Sequence, residues 1–356
     1  MTDVRAVGAN PTRLWGLTSA ERLARIAKAQ GHAVAEDGPI LANLDYVWDP
    51  AWLRFVAERP GTVVTRDGVP VLAHGADANV LEAMTTNSSL SGGGTVIAWE
   101  SAEGIVNDEL RKRERPFMDR LTPTAVRPLE RASYFGAYKG VTDALTLYLW
   151  PEWALVLTRI AARLRITPNM VTALGFALCV AATFLFYHGW YWTGLAVGLG
   201  FMVLDTVDGK LARCTITSSW WGNVLDHGID LVHPPFWWWA WGVGLAAYGR
   251  PLAPEWLWGT LAAIVVGYVV QRMIEGAFIA RFNMHIHVWE RFDSRFRLIT
   301  ARRNPNMVIL LAFLAIDRPD WGLIAVAAWT VASCAVHLVR LLQAIAAAKP
   351  IRSWLA

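Results

Sequence analysis

From residue 167 to residue 345 the chain is a succession of long apolar segments, and nothing else in it narrows the fold as much. A helix needs about 20 residues to cross the hydrocarbon core of a bilayer. Six segments reach or approach that length, over 169–187, 192–212, 219–247, 256–280, 304–317 and 321–345. The fifth is short, and the third is long and broken by Pro234 and Pro235. Both are tolerable inside a bundle, where neighbouring helices satisfy freed backbone groups. Composition agrees: 54% of residues are hydrophobic and 17% charged, against about 25% charged in soluble chains. The expected fold is a mainly α membrane protein, a six-transmembrane-helix bundle with an interfacial helix, preceded by a small cytoplasmic α/β domain.

Residues 1–130 are more polar and read as that α/β domain. Thr18 and Glu21 form a capping-box pattern ahead of a helix that stops at Gly31. "PILANLDYVWDP" reads as a buried strand, "DPAWLRFVAERPG" as a helix, and "TVVTRDGVPVLAHG" as a hairpin turning at Asp67-Gly68. "SGGGTVIAWE" reads as a Gly-rich loop leading to a strand, and "DELRKRERPF" as a charged, solvated helix. The chain opens on a polar segment, so no signal peptide is expected. Residues 131–166 form a connection. Within it "WPEWALVLTRIAARLRI" is amphipathic, with Arg159, Arg163 and Arg165 interrupting its apolar side, and is expected to lie in the membrane interface. Residues 346–356 form a cytoplasmic tail.

Topology follows the basic residues. The loop between the fourth and fifth segments carries Arg281, Arg291, Arg295, Arg297, Arg302 and Arg303, while loops on the other side carry Arg250 and Arg318. Trp190, Trp192, Trp256, Trp258 and Trp321 lie near segment ends on one side, as in an aromatic belt. This predicts a multi-pass protein of the cell (inner) membrane, with the N-terminal domain, the active site and the C-terminus facing the cytoplasm. The net charge of +4 and the lack of a basic, aromatic-interleaved stripe argue against a nucleic-acid partner. Cys179, Cys214 and Cys334 have neither metal nor disulfide spacing.

Four carboxylates stand out against this background. Asp205 and Asp208 are spaced i, i+3, and Asp226 and Asp230 i, i+4. On helices each pair shares a face, and the short link makes the two helices antiparallel neighbours, so all four can converge at the cytoplasmic side. Insertion of one Asp costs roughly 2.5–3.5 kcal/mol, and four cost on the order of 10 before mutual repulsion. Lys210 and Arg213 alone do not neutralise them. Hard divalent ions, Mg²⁺, Mn²⁺ or Ca²⁺, suit such all-oxygen ligation, and a two-metal site suits phosphoryl chemistry. Gly209, Ala212 and Gly222 clear space beside the carboxylates, and Arg213 is placed to hold a phosphate.

The run Asp-x-x-Asp-Gly-x-x-Ala-Arg, eight residues, then Gly-x-x-x-Asp-x-x-x-Asp, from Asp205 to Asp230, resembles the signature of the CDP-alcohol phosphotransferase family. The likeness covers about 150–345. It implies transfer of a phospho-alcohol or phosphatidyl group from a CDP-linked donor to an acceptor hydroxyl, with release of CMP. It further implies metal ligation by Asp205, Asp208, Asp226 and Asp230, two Mg²⁺ or Mn²⁺ ions, Asp230 as the general base, and a homodimer. Gly209, Ala212, Arg213, Ser219, Gly222 and Asn169 are implied to line the CDP pocket. "TSSWWGNVLDHGID" is similar to choline and ethanolamine phosphotransferases, which favours a CDP-alcohol head group moving onto a lipid alcohol. Phosphatidyl transfer from CDP-diacylglycerol to a soluble alcohol is the alternative, and a non-catalytic metal-binding membrane protein is the competing class. His227 is read as a structural hydrogen-bonding residue or a marker of the acceptor.

"NPTRLWGLTSAERLARIAKAQG" and "ANLDYVWDP" resemble parts of sugar-nucleotidyltransferases. The loop "VGANPTR" holds one Gly, and Asp45 lacks an evident metal partner, so the N-terminal domain is read as vestigial or regulatory. His285 and His287 are expected at the surface or interface. Arg272 and Glu275 are expected to pair, with a contact to an acceptor head group as the alternative. The basic loop is read as a topology signal or as attracting anionic lipid or an acceptor phosphate.

Overall fold

The computed structural model describes residues 2–75, 77–90, 95–107, 110–347 and 350–356; within these, the side chains of 223 and 225–227 are not described. The chain divides into two compact units. One comprises Met1–Tyr138, Leu157–Thr167 and Gly209–Ser218, and the other Lys139–Val156, Pro168–Asp208 and Ser219–Ala356.

The first unit is an α/β domain with added helical segments. Its strands are β1 (Val4–Val7), β2 (Ile40–Asn43), β3 (Tyr46–Trp48), β4 (Thr62–Arg66), β5 (Val69–His74), β6 (Thr95–Ala98), β7 (Ile105–Asn107), β8 (Lys112–Glu114) and β9 (Met118–Arg120). Its helices include α1 (Ser19–Ala29), α2 (Ala51–Ala57), α3 (Ala78–Thr86) and α4 (Val126–Gly136). The main sheet runs β1-β2-β5-β4-β6, with β1–β2 and β4–β6 parallel and the middle pairs antiparallel. Val4, Ile26, Ile40, Trp52, Leu53, Val64 and Leu72 bury its core.

Local chemistry explains these elements. Thr18 Oγ1 accepts from the Glu21 amide while Glu21 returns a bond to the Thr18 amide, closing the capping box. The β4–β5 hairpin turns on Asp67 (φ 51°) and Gly68 (φ 80°), the left-handed pair a tight hairpin requires. Two expectations are corrected. "PILANLDYVW" is two strands, because the chain turns at Leu44-Asp45 and β3 leaves the main sheet to pair with β9. Lys112–Glu114 forms strand β8 against β7 instead of a charged helix. Lys112 is buried, with its ammonium donating to the Gly136 carbonyl at 2.6 Å, while Arg113 and Glu114 stay exposed.

The remaining helices are α5 (Pro151–Arg163), α6 (Pro168–Tyr187), α7 (Tyr191–Cys214), α8 (Trp220–Tyr248), α9 (Pro254–Phe282), α10 (Arg291–Arg297), α11 (Arg303–Ala315) and α12 (Pro319–Ala346). Six of them coincide with the six apolar segments. Among the described residues, α6, α9 and α12 are long and apolar enough to cross a membrane. At about 1.5 Å per residue, the 13 residues of α11 fall short of a roughly 30 Å hydrocarbon core.

α8 contradicts the expected break. It runs unbroken through Pro234 and Pro235. Each proline removes the amide that would bond to the carbonyl four residues back, which frees the carbonyls of Asp230 and Leu231. Tyr268, on α9, directs its hydroxyl at both, 3.0 Å from Leu231 O and 3.4 Å from Asp230 O. A neighbouring helix thus replaces what the prolines delete. α6 and α8 pack with minimal clearance: a Cβ on Gly244 would fall 1.9 Å from the Phe186 carbonyl oxygen.

Tyr268→Phe removes the replacement donor without changing the ring. It is expected to cost about 1–3 kcal/mol, the penalty for a buried carbonyl left unpaired; equilibrium unfolding in detergent checks this. Gly244→Ala is expected to lower the unfolding midpoint further than Gly259→Ala, since a Cβ at Gly259 meets nothing within 4 Å.

Candidate active site

Asp205 and Asp208 lie one turn apart on α7, and Asp230 lies on α8. Within the second unit, Asp205 and Asp230 are brought together by Arg303, the first residue of α11. Arg303 Nη2 donates to Asp205 Oδ2 at 2.7 Å, and Nη1 donates to Asp230 Oδ1 at 2.8 Å. A single guanidinium therefore spans carboxylates from two helices. Asp226 lies on the same helix as Asp230, but its side chain, like that of His227, falls outside the described residues.

The three carboxylates differ in environment. Asp208 is 4% exposed and accepts from Thr172 Oγ1 at 2.6 Å. The Asp205 side chain is 16% exposed and that of Asp230 is 47% exposed. Asp208 is thus enclosed and held by a hydroxyl, while Asp230 is the most solvent-accessible of the three. Thr172 belongs to the "TPNMVT" stretch at the start of α6, yet spacing gave no hint that it would hold Asp208, since 36 positions separate them.

Three residues expected in a CDP pocket also come together. Ser219 caps α8, and its Oγ accepts from the Gly222 amide at 3.1 Å. A Cβ on Gly222 would lie 3.0 Å from Ser219 Oγ and 3.2 Å from Asn169 Oδ1. A side chain at 222 would crowd both polar groups, which is the physical reason for glycine there. In the first unit, Arg213 folds back along its own helix, its Nη1 donating to Gly209 O at 3.2 Å. Ala212 lies on the same stretch of α7.

Arg303 is the residue that sequence reasoning missed as a site member. It sat inside the basic loop and was counted for topology. Its three nitrogens are all engaged, since Nε donates to Asn304 Oδ1 at 3.0 Å, and the guanidinium lies 4.9 Å from the Phe201 ring centre.

A second polar cluster surrounds Glu275. Arg272 pairs with it at 3.1 Å, as expected, and Arg302 donates to both its oxygens. His287 approaches it at 3.4 Å and His337 at 4.0 Å. The expected surface position holds for His285 and fails for His287, which is 2% exposed because Glu275 and Arg302 draw its ring inward. Burial pushes the His287 imidazole well below its usual range. Two arginines already satisfy Glu275, so the cluster is an ion-pair network. In the N-terminal domain, Asp45 is likewise engaged, by Asn87 at 2.6 Å, Arg120 at 3.4 Å and Asn10 at 3.5 Å.

The family model of the CDP-alcohol phosphatidyltransferases matches residues 165–338, which hold Asp205, Asp208, Asp226 and Asp230. That segment belongs to this family. The chain is 29% identical over 183 residues to cholinephosphotransferase 1 of Xenopus laevis, covering 48% of this chain and 40% of that one. It is 35% identical over 82 residues to a phosphatidylinositol phosphate synthase of Cutibacterium acnes, covering 22% of this chain and 40% of the relative. The chain therefore spans well under half the length of these relatives. Among solved structures, it superposes on Mycobacterium tuberculosis phosphatidylinositol phosphate synthase in complex with manganese and citrate. The TM-score is 0.43 at 20% identity, covering 53% of this chain and 88% of that chain. With its candidate spans and this family domain, the chain is a membrane protein.

The Thr172–Asp208 bond yields a prediction. Thr172→Val leaves a buried carboxylate short of a donor and is expected to cost about 1.5–3 kcal/mol. Thr172→Ser keeps the hydroxyl and should remain near the parent, with denaturant unfolding of both variants as the check.

Proposed function

We propose that this chain is an integral-membrane transferase that moves a substituted phosphate group from a CDP-linked donor to an acceptor hydroxyl and releases CMP. The observation that carries this reading is the constellation of Asp205, Asp208 and Asp230 on two helices, two of them close enough to share one cation. The donor set is all oxygen, which fits a hard cation, and the guanidinium between Asp205 and Asp230 shows that both can face one positive charge. Asp205, Asp208, Asp226 and Asp230 would hold divalent metal, Mg²⁺ or Mn²⁺, as two ions. Such ions supply charge stabilisation to a diphosphate and its leaving group.

The chain's own residues divide the remaining work. Ser219, Gly222 and Asn169 form one wall of the donor pocket, and the motif positions Gly209, Ala212 and Arg213 are assigned to donor binding from the family resemblance. Asp230, the most exposed of the three described carboxylates, takes the proton of the acceptor hydroxyl at Oδ. Similarity to a cholinephosphotransferase supports a CDP-alcohol donor and a lipid alcohol acceptor. Similarity to a phosphatidylinositol phosphate synthase supports the second reading, phosphatidyl transfer from CDP-diacylglycerol to a soluble alcohol.

The membrane arrangement belongs to the same proposal. α6, α7, α8, α9, α11 and α12 serve as six spans over 167–345. α5 lies in the interface, a reading supported by Trp153, Val156, Leu157 and Ile160, which are exposed at helical spacing. The arginine-rich loop and the exposed Trp190, Trp192, Trp256, Trp258 and Trp321 support a cytoplasmic active site, N-terminal domain (1–130) and tail (346–356). The N-terminal domain acts as a vestigial or regulatory module, and the enzyme works as a homodimer.

Purified protein given a panel of labelled CDP-alcohols and CDP-diacylglycerol should release CMP from one donor class, and only with Mg²⁺ or Mn²⁺. No CMP from any donor would overturn the enzyme reading. Asp230→Asn is expected to lower kcat by about 10²–10⁴-fold with donor binding largely intact. Preserved turnover with lost donor binding would remove Asp230 from the role of base.

A further inference from the structure

The position of Arg303 has a consequence for metal loading. Its side chain is 11% exposed and lies between two carboxylates, Asp205 Oδ2 at 2.7 Å and Asp230 Oδ1 at 2.8 Å. These are the oxygens of two expected metal ligands. Behind it, Nε is held by Asn304 Oδ1 at 3.0 Å. Asn304 is itself fixed, since its Nδ2 donates to Asp143 Oδ1 at 3.0 Å and to Thr146 Oγ1 at 3.2 Å. Asp143 is buried and also accepts from the Thr146 amide at 3.0 Å and hydroxyl at 2.9 Å. The guanidinium thus has two anchors, the carboxylate pair in front and an amide relay behind.

We propose that Arg303 is a resident counter-cation that competes with divalent ions for Asp205 and Asp230 and thereby sets the affinity of the site for metal. A cation bound to the same oxygens meets a guanidinium of like charge at close range, in surroundings that screen it less than water does. Loading therefore either separates Arg303 from the carboxylates or proceeds against its charge, and both weaken binding. The Asn304 anchor holds the guanidinium in line with the carboxylates, so it opposes an arriving cation rather than swinging aside. In this role Arg303 keeps the carboxylates from repelling one another and keeps the metal exchangeable. It is a positioning residue, acting on the substrate only through the carboxylates.

The inference rests on the reading of these carboxylates as a divalent-ion site, and one experiment separates the two. Full-length protein in detergent is titrated with MnCl₂, and free Mn²⁺ is followed by electron paramagnetic resonance for the parent, Arg303→Gln, Asn304→Ala and Asp205→Asn. Arg303→Gln is expected to bind Mn²⁺ about tenfold more tightly, because removing one close charge of like sign is worth roughly one decade. Its unfolding midpoint should fall in EDTA and rise further than the parent's on adding Mn²⁺. Asn304→Ala loosens the rear anchor, leaves the Asp205 and Asp230 ligands in place and should shift affinity the same way. It decides the matter alone if Arg303→Gln does not fold. Unchanged or weaker Mn²⁺ binding in these folded variants, with the parent binding and Asp205→Asn not, overturns the counter-cation role and leaves the metal site standing. No saturable Mn²⁺ binding by the parent overturns both.

Discussion

Carboxylates gathered among apolar helices need compensating charge, and much of the second unit is arranged around that requirement. Burying an ionised carboxylate is tolerable only when it is paired and hydrogen-bonded. Asp208 gains a short bond from Thr172, and Asp205 and Asp230 share Arg303. Through one guanidinium, α7, α8 and α11 are joined at Asp205 and Asp230. The short helix α11 acquires a clear purpose in this light: it brings Arg303 and Asn304 to that junction.

The backbone at Asp230 is constrained as closely as its side chain. Pro234 and Pro235 withdraw the amides that would bond to the carbonyls of residues 230 and 231, and the Tyr268 hydroxyl faces both. A helix with an ordinary residue at 234 would hold Asp230 by its own ladder. Here α9 supplies the hold, so the position of the carboxylate depends on α8–α9 packing. The relative exposure of the acids is consistent with a division of labour. The most enclosed, Asp208, has a hydroxyl donor on it, and the most accessible, Asp230, retains an open side.

Much of this was legible in the sequence. The periods of apolar residues located six helices to within a few positions, and the capping box and hairpin turn were read correctly because each is a local rule. The spacing of Asp205 and Asp208 placed them one turn apart on α7. The failures are tertiary. Arg303 is 98 positions from Asp205 and 73 from Asp230, and an arginine in a basic loop carries no sign of which acid it meets. His287 was judged by its neighbour His285, yet its partners come from α9 and from Arg302. The segment around Lys112 was judged by its charge density. There, a buried lysine finding the Gly136 carbonyl outweighed helix propensity.

The α/β domain bears on the motif helix whatever chemistry it performs itself. The last turns of α7 and the residues after it belong to the first unit. There Arg22 Nη1 donates to Cys214 O at 3.2 Å and Arg25 Nη1 to Thr215 O at 2.8 Å. These carbonyls lie at the helix C-terminus, where the ladder leaves acceptors unpaired and the dipole favours cations. Lys210 adds a bond to Ala137 O at 2.8 Å, its ammonium 3.7 Å from the Tyr138 ring centre. A helix whose end is fixed by three cations has little freedom to slide or rotate. Within the first unit, the α/β domain therefore has a mechanical reason to keep Arg22 and Arg25 whatever chemistry it performs.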